Sequence, residues 1–363
     1  MFNKAWHWYK TRDLFLKLLL PIVIILIICM PIAAQFALST QNFAQTPNYQ
    51  LYYHPTKYTF LHKVGVFSLA QTLDKTTDSQ LAKARSLGIS FTTHTYIIPG
   101  TPLYILFEKY HMHYLDVSPL LYLESVCGTQ AVANSTCHLG SAQEKLFLSE
   151  ISKHLQDTKN DPLIVGYYTL DTYIGNVQNS LTDSHLLIQK ANQFSSVKRG
   201  TICGFYAPLD NVNENASRSY FDQAVANYAP LACDSVAIFS YAVSGNAVDS
   251  SSIDWSMTNL LPYVFAKLQS NGWDQSKNNI IGVSQTYVNT QKDQSQEAWT
   301  APTAEAIALQ MESYCKNGAV NILTYAWGSD MSSGVDDLQN TSSFQNGFIN
   351  GVAACSKIWQ IGK

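Results

Sequence analysis

Residues 163–173, "LIVGYYTLDTY", open as an unbroken apolar run and close on a single carboxylate, Asp171, set among tyrosines. A short apolar run that ends at polar residues reads as a buried strand. Downstream lies an amphipathic segment, "SHLLIQKANQFS" (184–195), then a second apolar run, "GTICGFY" (200–206), and a second amphipathic one, "SRSYFDQAVANYA" (217–229). The alternation continues with "SVAIFSYAV" (235–243) and a helix over 253–270, and with "NIIGVSQTY" (279–287) and a helix over 302–317. It ends with "AVNILTYAW" (319–327) and a last helix near 342–357.

Working back from residue 163, the same rhythm holds. "KVGVFSL" (63–69) precedes a helix over 78–88, and "ISFTTHTYI" (89–97) precedes one over 101–111, where Thr101 can cap and Pro102 can occupy the first turn. "HYLDV" (113–117) is a third strand, followed by a long loop over 119–141 and an amphipathic helix over 142–158. Eight strand–helix units over roughly 300 residues predict a (β/α)8 TIM barrel of class α/β, spanning residues 61–358. Neither GxGxxG nor GxxxxGK[ST] occurs, so nucleotide cofactors lose their main signature. The "HMH" at 111–113 has no third ligand in view; no metal and no other cofactor is expected.

Composition narrows the partners. Of 363 residues only 13% are charged and 12% are aromatic, with a formal net charge of −3. Four basic residues, Lys4, Lys10, Arg12 and Lys17, sit at the very start, so the body beyond them is more acidic still. An acidic body disfavours tracking a phosphate backbone, and nucleic acid is not an expected partner. A surface covered by Ser, Thr, Asn, Gln and Tyr suits neutral, hydroxyl-rich ligands.

The uncharged run "LLLPIVIILIICMPIAA" (18–34), behind that basic flank, makes residues 1–40 either a secretory signal or a single-pass membrane anchor. Residues 41–60 then form a linker, and the barrel is expected at the cell surface or outside the cell. Cysteine usage points the same way: beyond Cys29 there are six, Cys127, Cys137, Cys203, Cys233, Cys315 and Cys355. The expected pairs are Cys127 with Cys137, Cys203 with Cys233, and Cys315 with Cys355.

In a barrel of this kind, function gathers where strands end and βα loops begin. Those positions carry Asp116 after the third strand, Asp171 and Tyr173 after the fourth, and Tyr206 and Asp210 after the fifth. Tyr241 follows the sixth, Gln285 and Tyr287 the seventh, and Trp327 and Asp330 the eighth. Flat rings stack on the apolar faces of sugars while carboxylates and amides bond their hydroxyls, so the mixture fits a carbohydrate. Asp171 is the candidate general acid/base, with Asp116, Asp210 or Asp330 as its partner. Tyr173, Tyr206, Tyr241, Gln285, Tyr287 and Trp327 are the candidate sugar-binding groups.

"LIVGYYTLDTY", "AIFSYAV" (237–243) and "ILTYAWGSD" (322–330) resemble the fourth, sixth and eighth strands of glycoside-hydrolase barrels, in particular family 18 chitinase-like proteins. That resemblance implies an acid after the fourth strand, a Tyr after the sixth and a Trp after the eighth, here Asp171, Tyr241 and Trp327. The family's DxxDxDxE run is absent, and Gln285 stands where two-glutamate hydrolase barrels carry a Glu. Hydrolysis usually needs two carboxyl groups, about 5–5.5 Å apart for retention and roughly 6.5–9.5 Å for inversion. A non-catalytic sugar-binding barrel, or a surface structural protein, is therefore the alternative.

Overall fold

The computed structural model describes residues 60–128, 141–172, 200–206, 222, 234–239, 258–259, 261–270, 279–289, 301–328 and 335–361. The chain forms two units, Met1–Tyr52 and Tyr53–Lys363, and all described residues belong to the second. The apolar run at 18–34, the linker, and the expected helices over 184–195 and 217–229 lie outside the described residues. Among the described residues no helix is long and apolar enough to cross a membrane.

The second unit is built on a closed barrel of eight parallel strands, as the alternation predicts. They are β1 (Lys63–Val66), β2 (Phe91–His94), β3 (His113–Asp116), β4 (Ile164–Thr172), β5 (Gly200–Tyr206), β6 (Ser235–Phe239), β7 (Asn279–Gln285) and β9 (Asn321–Tyr325). β9 closes the ring by pairing with β7 on one side and β1 on the other, the latter from Lys63 opposite Asn321 to Val66 opposite Thr324. The described helices are α1 (Thr77–Ser86), α2 (Pro102–Lys109), α3 (Ser118–Cys127), α4 (Ser141–Thr158), α5 (Leu261–Ser270), α6 (Ala304–Lys316) and α7 (Ser342–Ile361).

Strand alternation sorts side chains into two cores. Phe91, Leu115, Tyr168, Ile202, Ala237, Ile281, Val283 and Leu323 fill the lumen. Val64, Val66, Tyr114, Tyr167, Val236, Ile280 and Ile322 face the helices. Gly65 lacks a side chain because the lumen has no room for one: a Cβ there would lie 2.7 Å from the Phe91 ring. α2 begins as its sequence predicts, with the Thr101 hydroxyl accepting from the Tyr104 N–H and Pro102 in the first turn.

Two departures from the sequence reading bear on the site. The expected 119–141 loop begins as a helix, α3. Pro119 falls in its first turn, where a missing N–H costs nothing, and Leu120, Leu123 and Val126 repeat at helical spacing against the core. Second, the seventh strand stops at Gln285. Tyr287 starts a separate strand, β8 (Tyr287–Asn289), paired antiparallel with β10 (Val335–Asp337) through Tyr287 opposite Asp337.

Cys315 on α6 and Cys355 on α7 form a disulfide with 5.4 Å between their Cα atoms, and Cys203 is also disulfide-bonded. The Cys315–Cys355 bridge spans 40 residues, a loop length for which chain entropy gives about 2–5 kcal/mol of stabilisation. Replacing both cysteines by Ser is expected to lower the denaturation midpoint accordingly, as measured by guanidinium unfolding followed by circular dichroism. An unchanged midpoint would show that the bridge adds nothing to the packing of α6 against α7.

Candidate functional site

The C-terminal mouth of the barrel is floored by rings. Phe67, just past β1, lies 6.1 Å from Tyr168 at a T-shaped angle, 5.5 Å from Phe239 and 5.7 Å from Tyr325 between ring centroids. Tyr325 in turn meets Tyr287 edge to face at 5.5 Å. Phe67, Phe239 and Tyr287 each keep 7–9% of their surface open, while Tyr168 beneath them keeps 1%. Backbone bonds lock this floor to the barrel: Phe67 donates its N–H to the Thr324 carbonyl, and Trp327 donates to the Phe67 carbonyl, both at 3.0 Å. Beyond Phe67 the chain turns sharply, with Ser68 and Ala70 at φ of 64° and 54°, which ends β1 before the predicted residue 69. Phe67 and Phe239 were not among the sequence-predicted site residues. The available signal was strand alternation, which places Phe67 two residues beyond Gly65 and Phe239 two beyond Ala237, on the lumen face.

Asp171 reaches this mouth through an irregularity in β4. Tyr168 pairs with Ile202, both in the lumen core, and Leu170 pairs with Cys203, so Thr169 is an extra residue in the ladder. In a regular strand a residue three positions beyond lumen-facing Tyr168 would fall on the helix side. The bulge reverses this. Asp171 falls opposite Gly204, two residues beyond Ile202, and so takes a lumen-face register position. The hydroxyl of Thr169 donates to the Ile202 carbonyl at 3.2 Å and lies 3.5 Å from the Cys203 sulfur, filling the gap in the ladder.

Asp116 is placed differently. It follows lumen-facing Leu115 and therefore faces the helices, fully buried. One carboxylate oxygen accepts from the Ser118 N–H at 2.9 Å, at the start of α3, and the other meets His154 Nε2 of α4 at 2.6 Å. The His154 ring sits against Tyr96 and Tyr122, both edge to face. Asp116 is thereby built into the packing of α3 and α4 on β3, on the opposite side of the sheet from the ring floor. Asp161 has a similar setting, accepting from the Tyr104 and Tyr114 hydroxyls and from the Leu163 N–H. Burial, reinforced by the Asp161 charge, pushes the Tyr104 and Tyr114 phenols well above their usual range. His94, at the end of β2, also faces the helices, and burial holds its imidazole below the ordinary histidine range.

Gln285 ends β7 on the lumen face, two residues beyond Val283, and pairs with Tyr325. Its backbone N–H is held by Gln310 Oε1 of α6 at 2.8 Å, and its side-chain Nε2 donates to the Tyr287 carbonyl at 3.0 Å. Its side-chain Oε1 is buried without a hydrogen-bond partner. Trp327 is 1% exposed and belongs to the helix-side core, its indole N–H also without a partner among the described residues.

Of the remaining predicted residues, Tyr206 ends β5, where its backbone pairs with Phe239. Tyr173, Asp210, Tyr241 and Asp330 lie outside the described residues. The structure thus brings Asp171 by register, Gln285 and Tyr287 to one mouth, and sets Asp116 and Trp327 behind the sheet.

No family model matches the chain, and no curated protein matches it. Solved structures do. A β-galactosidase from the psychrophilic Marinomonas ef1 superposes with a TM-score of 0.52 at 8% identity, over 83% of this chain and 60% of that one. The β-galactosidase of the Antarctic haloarchaeon Halorubrum lacusprofundi gives 0.52 at 9%, over 82% and 58%. A class V chitinase from Pseudomonas fluorescens Pf-5 gives 0.48 at 12%, over 80% and 99%. The chain spans less than two thirds of either galactosidase, and what it shares with those two is the fold, a closed eight-stranded parallel barrel with helices around it.

Proposed function

We propose that the protein is a carbohydrate-active barrel that takes a poly- or oligosaccharide at its C-terminal mouth and hydrolyses it, with Asp171 as general acid/base. One observation carries this reading: a bulge sets the only carboxylate position of β4 on the lumen face, at the rim of a floor made of Phe67, Phe239, Tyr325 and Tyr287. Rings stack on the C–H faces of a sugar, and a proton donor above them faces the glycosidic oxygen. Asp210 and Asp330, which follow β5 and β9 in the chain, are the partners proposed for the second carboxyl. Trp327 serves as support beneath β8 and β10, and Tyr173, Tyr206 and Tyr241 are proposed as further sugar contacts. Disulfides at Cys203 and at Cys315–Cys355 support an oxidising, extracytoplasmic setting reached through residues 1–40, cleaved or kept as a membrane anchor.

A second reading, a binding barrel without turnover, is favoured by one specific fact. Among the described lumen-face positions of the mouth, Asp171 is the sole carboxylate. Release of reducing ends from a panel of neutral and acidic glycans, read beside binding to the same panel, separates the two. Turnover supports the hydrolase; saturable binding without turnover supports the binder; neither one removes both.

A further inference from the structure

The described mouth holds a buried acceptor, Gln285 Oε1, that has no hydrogen-bond partner among the described residues. The Gln285 amide cannot turn over to relieve this, because its Nε2 donates to the Tyr287 carbonyl and a flipped amide would set oxygen against oxygen. Oε1 therefore stays as a buried acceptor, and an orphaned buried acceptor costs free energy until a donor reaches it. Among the described residues, the lumen face of the mouth carries no cation. Phe67, Val117, Tyr168, Phe239 and Tyr325 line the described lumen face at this end of the barrel, and none of them is basic. The one carboxylate at a described lumen-face register position there is Asp171.

We propose that the mouth selects a neutral glycan, and that Gln285 Oε1 reads it by accepting a hydrogen bond from a sugar hydroxyl or amide N–H. This deepens the carbohydrate reading above and rests on it. A uronate presents a carboxylate that has no proton to donate to Gln285. It would lose its water shell on the ring floor without a described Lys or Arg to replace that shell. A neutral hexose or N-acetylhexosamine supplies the missing donor and carries no charge to desolvate.

The test is calorimetric titration of the full chain with neutral tetrasaccharides (cellotetraose, chitotetraose, galactotetraose) and with acidic ones (tetragalacturonate, a hyaluronan tetrasaccharide). Gln285→Met is run in parallel, with its thermal melt recorded. The expected result is that a neutral tetrasaccharide binds at least tenfold more tightly than either acidic one, and that Gln285→Met weakens it about tenfold, the value of roughly one hydrogen bond. Equal or tighter binding of an acidic tetrasaccharide overturns the selectivity and leaves the carbohydrate reading standing. Unchanged affinity in a folded Gln285→Met overturns the role of Oε1. Binding by neither class removes the carbohydrate reading itself. Should Gln285→Met fail to fold, the neutral-against-acidic comparison in the unmodified chain still decides the selectivity.

Discussion

On the proposed hydrolase reading, Asp171→Asn is expected to lower glycan turnover by roughly 100- to 10,000-fold, the usual contribution of a positioned general acid/base. Asn keeps the size and hydrogen-bonding shape of the side chain and removes only the proton that is transferred. Binding on the ring floor, which does not need that proton, should change little, so the loss should fall on kcat rather than on KM. The thermal melt of the variant should match that of the parent. A companion swap, Leu170→Asp with Asp171→Leu, moves the carboxylate one position along β4. Because Leu170 pairs with Cys203 on the helix side, the swap should not restore turnover. Recovery of turnover by that swap would show that Thr169 is not the extra residue in the ladder. Full turnover in Asp171→Asn would remove the catalytic assignment.

The second large effect concerns Asp116, which is held on the helix side by His154 and the Ser118 N–H. Replacing His154 by Ala strands a fully buried carboxylate opposite a void, and breaking such a pair from one side costs about 3–5 kcal/mol. Equilibrium unfolding in guanidinium should therefore show a large drop in midpoint. Replacing both partners, Asp116→Leu with His154→Leu, removes the uncompensated charge and should recover most of that loss. In Asp116→Asn, activity per folded molecule should stay at the parental level, since the side chain is separated from the ring floor by the sheet. Loss of activity without loss of stability in that variant would return Asp116 to the list of catalytic partners.

The contrast between these two aspartates shows where sequence reading succeeds and where it stops. The alternation of apolar and amphipathic segments specifies the barrel because each strand must bury both faces and each helix only one, and those two periods survive in the sequence without tertiary information. Strand-end positions are also predictable, and Asp171 and Gln285 fall at or next to the ends of the fourth and seventh strands as expected, whereas Tyr287 opens a separate strand. The face each residue takes is another matter. It follows a period of two, so a single extra residue inverts it, and neither the Thr169 bulge nor the early end of β7 at Gln285 leaves a mark in composition. Asp116 ends β3 and Asp171 is the next-to-last residue of β4, both after apolar residues, and the register separates a packing group from a candidate acid. The helix at 118–127 was hidden for another reason: its nearby cysteines and proline resemble a loop, although proline is well tolerated in a first turn. The β8 and β10 pair was hidden because two three-residue strands far apart in sequence carry no periodic signal.

A crystal structure of the full chain with a bound oligosaccharide tests the central claim most directly. The expected result is a sugar ring stacked over Phe67, Phe239 or Tyr325, with Asp171 and Gln285 Oε1 each within hydrogen-bond distance of it. A sugar seated elsewhere on the protein, or an Asp171 carboxylate turned to the helix side of β4, would contradict it.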